Sequence, residues 1–354
     1  DGFEVVSATR PLLEQVVRRR VLALSGVSAR QGSRACGLRR SGAGWVVQLE
    51  DGDCIKTDFV VDASGRSSRL PVWLAELGVS VPEPSRLDAQ VGYATRYYRS
   101  NSPGFPGCAG IVVAATPEAP RGALVFPAED NHWLVTVVGF GQDRPPRDND
   151  SFEDFLRRLP DPAISDVAAG CVPVGDVAVH RQTANVRHRY EKVRRWPAGL
   201  VAVGDALCAF DPVYGQGITV GAIQALTLRR AAEHGLLFAN RSRRLQRRVA
   251  ASVDLPWSIA TGADSAFATS GVRQSTMQLA MAAWSGELTR LVIQGNSRAN
   301  DAMSRVYNLM ASPALLLHPA LVVAAVRARL LGYGPGTPRP QVLERLTQER
   351  TSVS

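Results

Sequence analysis

Residues 200–217 read Leu-Val-Ala-Val-Gly-Asp-Ala-Leu-Cys-Ala-Phe-Asp-Pro-Val-Tyr-Gly-Gln-Gly. A short apolar strand ends at Asp205, a loop passes through Pro212, and Gly215 and Gly217 open a helix that the pattern predicts as far as His234. Backbone N–H groups and the positive helix end then point to one place, where glycines admit a closely bound ligand. A carboxylate at a strand end can also accept hydrogen bonds from ligand hydroxyls. The segment therefore predicts an anion- or cofactor-binding site, whereas a Gly-x-Gly pair alone is more often a tight turn.

A second apolar run of the same character lies upstream, at residues 58–62 (Asp-Phe-Val-Val-Asp). A strand that is apolar on both faces suits the interior of a parallel or mixed sheet, so we expect it to share a sheet with residues 200–203. A helix capped by Ser7 or Thr9, with Pro11 in its first turn, is predicted before it. Between this helix and residues 58–62, short β-like runs are predicted at Val27 to Ala29, Gly37 to Arg40 and Trp45 to Leu49.

The middle of the chain is rich in β-like segments that Pro and Gly turns separate, which is typical of an antiparallel sheet. The predicted strands are residues 90–99, 110–115, 122–126, 133–139 and 174–182, with a helix at 152–159. Helix is predicted throughout from Arg241 onward. We therefore expect an α/β (α+β) fold in four segments. Residues 1–80 and 184–240 form one split domain, 81–183 a substrate domain built on the antiparallel sheet, and 241–354 a helical region.

Composition excludes several classes of protein. The chain has 354 residues, of which 45% are hydrophobic and 21% charged, so global disorder is excluded and two or three domains are expected. No apolar run reaches the ~18–20 residues of a membrane span. The chain opens Asp-Gly-Phe-Glu, without a signal-peptide pattern. The five cysteines form no Cys-x-x-Cys pair, which argues against a disulfide framework or zinc site and favours a cytoplasmic location.

The positive charge is weak support for nucleic-acid binding. The formal net charge is +9, but only Lys56 and Lys192 are lysines, so the basic residues are nearly all arginines. These arginines are spread along the chain and are more easily explained as solvated helix faces or as genomic base composition. No zinc-finger, RNA-binding or helix-turn-helix pattern accompanies them, so we expect no nucleic-acid partner.

The string from Gly204 to Gly217 resembles the second flavin-binding motif of FAD-dependent monooxygenases of the aromatic-hydroxylase type, Gly-Asp-(x)6-Pro-x-x-Gly-Gln-Gly. It matches that motif position by position. The resemblance implies that Asp205 binds the ribityl chain of FAD. It also implies that the loop from Pro212 to Gly217 lies against the isoalloxazine ring, with the helix end stabilising negative charge on reduced flavin.

Two further segments resemble the same family. Residues 9–14 (Thr-Arg-Pro-Leu-Leu-Glu) are similar to its Arg-x-x-Leu helix, whose arginine contacts FAD. Residues 60–69 (Val-Val-Asp-Ala-Ser-Gly-Arg-Ser-Ser-Arg) resemble its middle motif, which joins flavin and nicotinamide binding. Ser64 stands where Asp is common, as in the branch with epoxidases, halogenases and prenyl reductases, which weakens the NADPH assignment more than the FAD assignment. The cofactor-binding residues implied are Arg10, Val27, Gly204, Asp205, Pro212, Gly215, Gln216 and Gly217.

The chain departs from the family in one important respect. The family begins with a Gly-x-Gly-x-x-Gly unit that holds the ADP half of FAD, and these 354 residues contain no such string. We therefore expect a split FAD-binding domain of the glutathione-reductase-like type whose N-terminal βαβ unit is missing. The 354-residue chain alone should then bind FAD weakly, and a version with an upstream extension tightly.

The resemblance implies an FAD-dependent monooxygenase that hydroxylates or epoxidises an apolar or aromatic small molecule. NAD(P)H would reduce FAD, and O2 would form the C4a-hydroperoxyflavin that transfers one oxygen atom. The sequence identifies no catalytic side chain and no metal site. The alternatives are a non-catalytic remnant acting as a scaffold and a flavin-dependent reductase of the same fold. A halogenase ranks low because neither lysine has the expected Trp-rich context, and the oligomeric state stays open.

Two geometric expectations make these hypotheses testable in the structure. Arg10, Asp205 and the loop from Pro212 to Gly217 should converge on one cavity, although they are far apart in sequence. Four aromatic residues of the β-rich segment are candidates for a substrate pocket or, for most of them, the sheet core: Tyr93, Tyr97, Phe126 and Trp133.

Overall fold

The computed structural model describes residues 6–100, 109–235 and 241–338. These residues form a mixed arrangement of helices and mostly antiparallel sheets. The helices are Arg10–Leu22 (α1), Leu70–Glu76 (α2), Asn149–Arg157 (α3), Ala163–Ala169 (α4), Gly217–Glu233 (α5), Ser242–Ala251 (α6), Asp254–Asp264 (α7), Thr276–Ile293 (α8), Ser297–Tyr307 (α9) and Pro319–Leu331 (α10). The strands are Ala35–Ser41 (β1), Gly44–Leu49 (β2), Cys54–Thr57 (β3), Val60–Asp62 (β4), Ser85–Leu87 (β5), Val91–Ser100 (β6), Ile111–Val113 (β7), Arg121–Pro127 (β8), His132–Phe140 (β9), Cys171–His180 (β10), Asn185–Arg187 (β11), Leu200–Ala202 (β12) and Cys208–Ala209 (β13).

The two apolar strands β4 and β12 pair in parallel, with Val60 opposite Leu200 and Asp62 opposite Ala202. The prediction that they share a sheet is therefore confirmed. Every residue of β12 is fully buried, whereas Val61 of β4 is 44% exposed. Since β4 has no second neighbour among the described strands, its other edge faces away from the sheet.

Helix α6 covers the free edge of β12 with two side chains one turn apart. The Gln246 amide accepts a hydrogen bond from the Ala202 N–H at 2.8 Å and donates one to the Ala202 carbonyl at 3.3 Å. The Ser242 hydroxyl accepts one from the Gly199 N–H at 2.8 Å. Side chains thus supply the partners that a neighbouring strand would give a buried backbone.

The β-rich middle forms one antiparallel sheet in the order β10-β6-β9-β8-β7. Short helices α3 and α4 cover one face, and Phe152, Leu156 and Ile164 are fully buried against the sheet. Trp133 belongs to this core, whereas Tyr93, Tyr97 and Phe126 are half-buried. The strand spans predicted here are right to within a few residues.

A small sheet, β13-β11-β5, links this middle region to the strand–loop–helix segment. In it, Val186 lies between Arg86 and Ala209. Strand β11 pairs antiparallel with β13 along one edge and with β5 along the other, which brings together residues 85–87, 185–187 and 208–209. This sheet brings parts of the chain that are distant in sequence to the candidate site.

Helices α8, α9 and α10 form a separate apolar cluster that contains Leu288, Ala302 and Leu321. Buried Glu287 accepts hydrogen bonds from Arg290 at 2.6 Å and Arg329 at 2.8 Å, which ties α10 to α8. Along the described part of the chain, no helix combines the length and apolar character needed to cross a membrane. The expectation of helix beyond Arg241 holds for the described residues, with short 3-10 turns between helices.

The N-terminal region contains one correction. The Thr9 side chain accepts a hydrogen bond from the Leu12 N–H and caps α1, as predicted. The predicted strand from Val27 to Ala29 is wrong, since this segment has no regular structure and Val27 is 43% exposed. Three β-branched or small residues can form a strand only beside a partner, and no described strand pairs with them.

Candidate functional site

A tight turn follows β12 and presents Asp205. Gly204 has φ +57°, in the left-handed region that favours glycine, and its N–H donates a 2.6 Å hydrogen bond to the Gln224 side chain on α5. The turn continues as a single 3-10 turn over Gly204–Ala206. The Asp205 carboxylate keeps 43% of its surface exposed, so it is available to a ligand.

Asp62 at the end of β4 orders the second turn of the site. Its carboxylate accepts hydrogen bonds from the Ser64 N–H at 3.0 Å, the Ser64 hydroxyl at 2.5 Å and the Ser68 hydroxyl at 2.5 Å. Asp62 is buried, so these donors compensate its charge. The result is a fixed Asp-Ala-Ser-Gly-Arg turn that projects Arg66 toward Asp205.

Arg66 connects three segments of the site. Its guanidinium donates a 2.7 Å hydrogen bond to the Ala184 carbonyl and another to the Phe210 carbonyl. The Nε atom lies 3.7 Å from Oδ2 of Asp205. A planar guanidinium with several donors can hold these positions at once, which the single point charge of lysine cannot. Arg66 thereby fixes the loop before Asp211 relative to the Asp205 turn.

Arg10 lies close enough to Asp205 for the two charges to interact. Burial raises the pKa of the Asp205 carboxyl, and the nearby guanidinium groups of Arg66 and Arg10 lower it. The pKa of Arg10 is raised chiefly by its hydrogen bond to Glu14, with a smaller contribution from Asp205. The N-terminus of α1 therefore lies on the same side of the molecule as the Asp205 turn.

The loop that leads into α5 has open space above its glycines. Gly215 has φ +66°, and α5 begins at Gly217 without a side-chain cap on its first N–H groups. A Cβ atom built on Gly204, Gly215 or Gly217 meets no other atom within 4 Å. The three glycines thus leave the backbone open to a ligand at the positive end of the helix.

Gln216 is directed inward rather than toward this opening. It is only 4% exposed, and its amide nitrogen donates a 3.1 Å hydrogen bond to the Tyr307 carbonyl on α9. Its Oε1 atom is buried with no partner among the described residues. Gln216 therefore anchors the loop to the helical region.

A buried hydrogen-bond network lies behind the loop. The Asp211 N–H donates to Oδ1 of Asn185 at 2.8 Å, and the Asn185 amide donates to Asp264 at 2.5 Å. The second oxygen of Asp264 accepts from the Tyr214 hydroxyl at 2.6 Å. Strand β11, helix α7 and the loop are thus connected through polar groups. Burial raises the pKa of Asp211 to about 7 and that of Asp264 to about 6.

A cavity of about 430 Å³ lies beside Arg66 and Asp205. Its floor is the small sheet, and its walls carry several charged or titratable groups: Arg66, Arg86, Asp88, Arg181, His188 and Asp205. Burial lowers the pKa of His188. Since arginines outnumber carboxylates here, the cavity favours a ligand with negative charge.

The structure brings Arg10 near Asp205, but the lining of the cavity beside Asp205 includes neither Arg10 nor the loop from Pro212 to Gly217, so their convergence on one cavity stays a prediction. Asp205 and Arg10 interact electrostatically, and Gly204 is bonded to the helix that Gly217 opens. Val27 lies in an irregular exposed segment after α1, and nothing described connects it to this group.

Several residues of the site were not among the sequence-based candidates, and they include Arg66, Asn185 and Asp264. Arg66 lies within the motif at residues 60–69, so the motif itself contained a signal for it. Asn185 and Asp264 are 79 residues apart and have no local motif.

Comparison with known proteins places this geometry in context. No protein-family model matches the chain. It is 33% identical over 240 residues to the protein Rv3254 of Mycobacterium tuberculosis (strain H37Rv). The alignment covers 65% of this chain and 50% of Rv3254, so the chain spans about half the length of this curated relative.

Similar solved structures include a hydroxylase, a probable FAD-dependent monooxygenase and a flavin-dependent halogenase. OxyS anhydrotetracycline hydroxylase from Streptomyces rimosus has a TM-score of 0.51 at 16% identity, covering 84% of this chain and 56% of that one. PqsL, a probable FAD-dependent monooxygenase from Pseudomonas aeruginosa, has a TM-score of 0.52 at 17% identity, covering 72% and 70%. CmlS, a flavin-dependent halogenase, has a TM-score of 0.51 at 17% identity, covering 91% and 58%.

These likenesses show that the chain shares the fold of these three proteins. They include both a hydroxylase and a halogenase, so the fold is compatible with more than one reaction.

Proposed function

We propose that this chain, which has the fold of the FAD-dependent monooxygenases, contributes the ribityl–isoalloxazine half of an FAD site to an oxygenase. The fold and the match from Gly204 to Gly217 support an oxidoreductase of this class. The domain division proposed with it is a split flavin domain of the glutathione-reductase-like type, formed by residues 1–80 and 184–240. The middle sheet, residues 81–183, would contribute the substrate side.

The single observation that carries this proposal is the surface around Asp205, which is open to a ligand and has positive charge beside the carboxylate. The half-exposed carboxylate can accept hydrogen bonds from ribityl hydroxyls, and the space above Gly215 and Gly217 admits a flat ring next to the backbone. The uncapped N-terminus of α5 favours negative charge at that ring. These residues therefore fit the isoalloxazine and ribityl groups.

The roles of the remaining residues follow from their contacts. Arg10 and Arg66 add positive charge beside Asp205, and Arg66 also holds the loop in position. Gly204 makes the turn, whereas Pro212 and Gln216 shape the loop. When bound, FAD would supply the redox chemistry that lets an oxygen atom be transferred. The chain itself would orient the ring through the loop and the N-terminus of α5.

We extend the proposal to the partners of the reaction. The reductant would be NAD(P)H, the oxidant O2, and the substrate an apolar or aromatic small molecule that is hydroxylated or epoxidised. We propose the cytoplasm as the location, on the basis of the scattered cysteines. All of these proposals concern the activity of a whole protein, and this chain spans about half the length of its curated relative.

The experiment is an FAD titration of the purified chain, followed by fluorescence quenching and by the visible absorption of bound flavin. Asp205→Ala should weaken FAD binding by roughly 10- to 100-fold, because a charge-assisted hydrogen bond contributes about 1.5–3 kcal/mol. Asp154→Ala, which removes an exposed carboxylate from α3, is the matched control and should bind like wild type. Equal affinity of all three proteins would exclude Asp205 as a ribityl ligand. Weak binding by wild type is the expected result, whereas no binding at any FAD concentration would favour the non-catalytic scaffold.

A further inference from the structure

Among the residues that the structure describes, one carboxyl oxygen beside the loop from Pro212 to Gly217 (the flavin loop) has no hydrogen-bond partner. Asp211 is 1% exposed, and its Oδ1 accepts a 3.0 Å hydrogen bond from the Val213 N–H. Its Oδ2 is buried and meets no donor among the described residues. An ionised oxygen buried in this way costs far more free energy than a buried hydroxyl, so the geometry favours the protonated acid.

The neighbouring carboxyl is in the opposite situation. Asp264 is also 1% exposed, but both of its oxygens accept hydrogen bonds, one from Tyr214 and one from Asn185. Two donors suit an ionised carboxylate. Asn185 bonds to the backbone N–H of Asp211 and to the carboxylate of Asp264, so it holds the two acids near each other without joining their carboxyl groups. The negative charge of Asp264 disfavours ionisation of Asp211, and the geometry therefore places the proton on Asp211 rather than on Asp264.

We propose that Asp211 is a positioning residue whose proton keeps the flavin loop closed, so that loss of this proton loosens the loop and weakens FAD binding. The inference rests on the proposed function of the loop. Asp211 directly precedes Pro212, and its side chain caps the turn Pro212–Tyr214. Ionisation would force water toward the buried oxygen and would thereby loosen the turn that this side chain caps.

The groups that face Asp211 set the range of pH in which this occurs. Burial is the main cause that raises its pKa, followed by the negative charge of Asp264, whereas the Val213 N–H and Arg66 lower it. The other titratable or charged groups around it are Asp88, Tyr93 and Tyr214. The folded pKa, about 7, lies above that of an unfolded Asp, near 3.8. The stabilising proton is therefore fully present at low pH, and the stability is lost as pH rises from about 4 to about 7.

The first test is the thermal midpoint of the chain without ligand between pH 5 and pH 8. We expect the wild-type midpoint to fall by several degrees over this range, and Asp211→Asn to flatten the profile, since the amide carries its hydrogens at every pH. Asp154→Asn on the surface of α3 should keep the wild-type profile. Equal slopes for wild type and Asp211→Asn would overturn the inference.

Two further measurements keep the test decisive. Infrared spectra of the wild-type protein should show a protonated-carboxyl band at pH 6 that disappears by pH 9. The absence of such a band would overturn the inference even if the variant failed to fold.

FAD affinity should fall between pH 6 and pH 8 in wild type but stay nearly constant in Asp211→Asn, and an equal fall in both would contradict the link to the loop. If no form binds FAD while Asp211→Asn still flattens the stability profile, the proposed function fails and the buried proton stands.

Discussion

At the scale of single residues, the candidate site depends on Arg66. Its guanidinium bonds to carbonyls of two segments and lies 3.7 Å from Asp205, and its side chain is only 24% exposed. Removing it would leave the carbonyls of Ala184 and Phe210 without their donor and would leave Asp205 with less positive charge nearby. The residue therefore serves both the shape and the electrostatics of the site.

We predict that Arg66→Ala lowers the free energy of unfolding by roughly 2–4 kcal/mol, since hydrogen bonds to charged groups contribute about 1.5–3 kcal/mol each. Arg66→Lys should recover only part of this loss, because lysine lacks the planar fork. Urea denaturation followed by circular dichroism measures both. Arg18→Ala on the exposed surface of α1 is the control and should change stability by less than about 0.5 kcal/mol. A wild-type midpoint for Arg66→Ala would show that other groups hold the loop.

At the scale of elements, the parallel pair β4–β12 has two different edges. The edge of β12 is covered by Ser242 and Gln246 of α6, which bond to its backbone. The backbone bonds of Val60 point toward β12, as the bond from its N–H to the Gly199 carbonyl shows, so Val61 presents its own N–H and carbonyl to the opposite side. One edge is therefore complete within this chain, and the other can accept a further strand.

We predict that Gln246→Leu, which keeps the volume but removes the amide, destabilises the chain by about 2–4 kcal/mol. The Ala202 N–H and carbonyl would stay buried without partners, and each such group costs about 1–3 kcal/mol. Guanidinium denaturation gives the free energy, and hydrogen exchange at Ala202 reports the local effect. Arg248→Leu on the exposed face of the same helix is the matched control. Unchanged stability of Gln246→Leu would mean that the strand edge gains no net stability from the amide.

At the scale of the whole molecule, many apolar side chains are exposed on α1, β4 and α5. Leu13, Val17, Val61, Ile218 and Leu226 are each more than a third exposed. Helix α1 has no buried residue, so it gains little stability from the described contacts. Two of these elements carry proposed cofactor residues, since α1 begins at Arg10 and α5 begins at Gly217.

We predict that a version of this chain with an upstream extension binds FAD more tightly than the 354-residue chain does. The reason is that the described residues offer contacts to the ribityl and ring groups, whereas a pyrophosphate needs N–H donors of a glycine-rich turn. Comparative fluorescence titration of both forms measures the difference, which we expect to be at least about 100-fold. Equal and tight binding by the two would show that the described residues already hold the phosphates, with the arginine-lined cavity as the first place to examine.

The sequence alone determined the local parts of this protein. The Thr9 cap of α1, the two apolar strands β4 and β12, the turn at Gly204 and the start of α5 at Gly217 all depend on residues close in sequence. The motif from Gly204 to Gly217 also predicted the family fold. Only the tertiary structure decided that Asn185 would meet Asp264, that Gln246 would cover β12, and that Val27 would lie in no strand. Such contacts join residues tens of positions apart, and they form only because packing of the apolar strands places their polar neighbours where each buried group finds a partner.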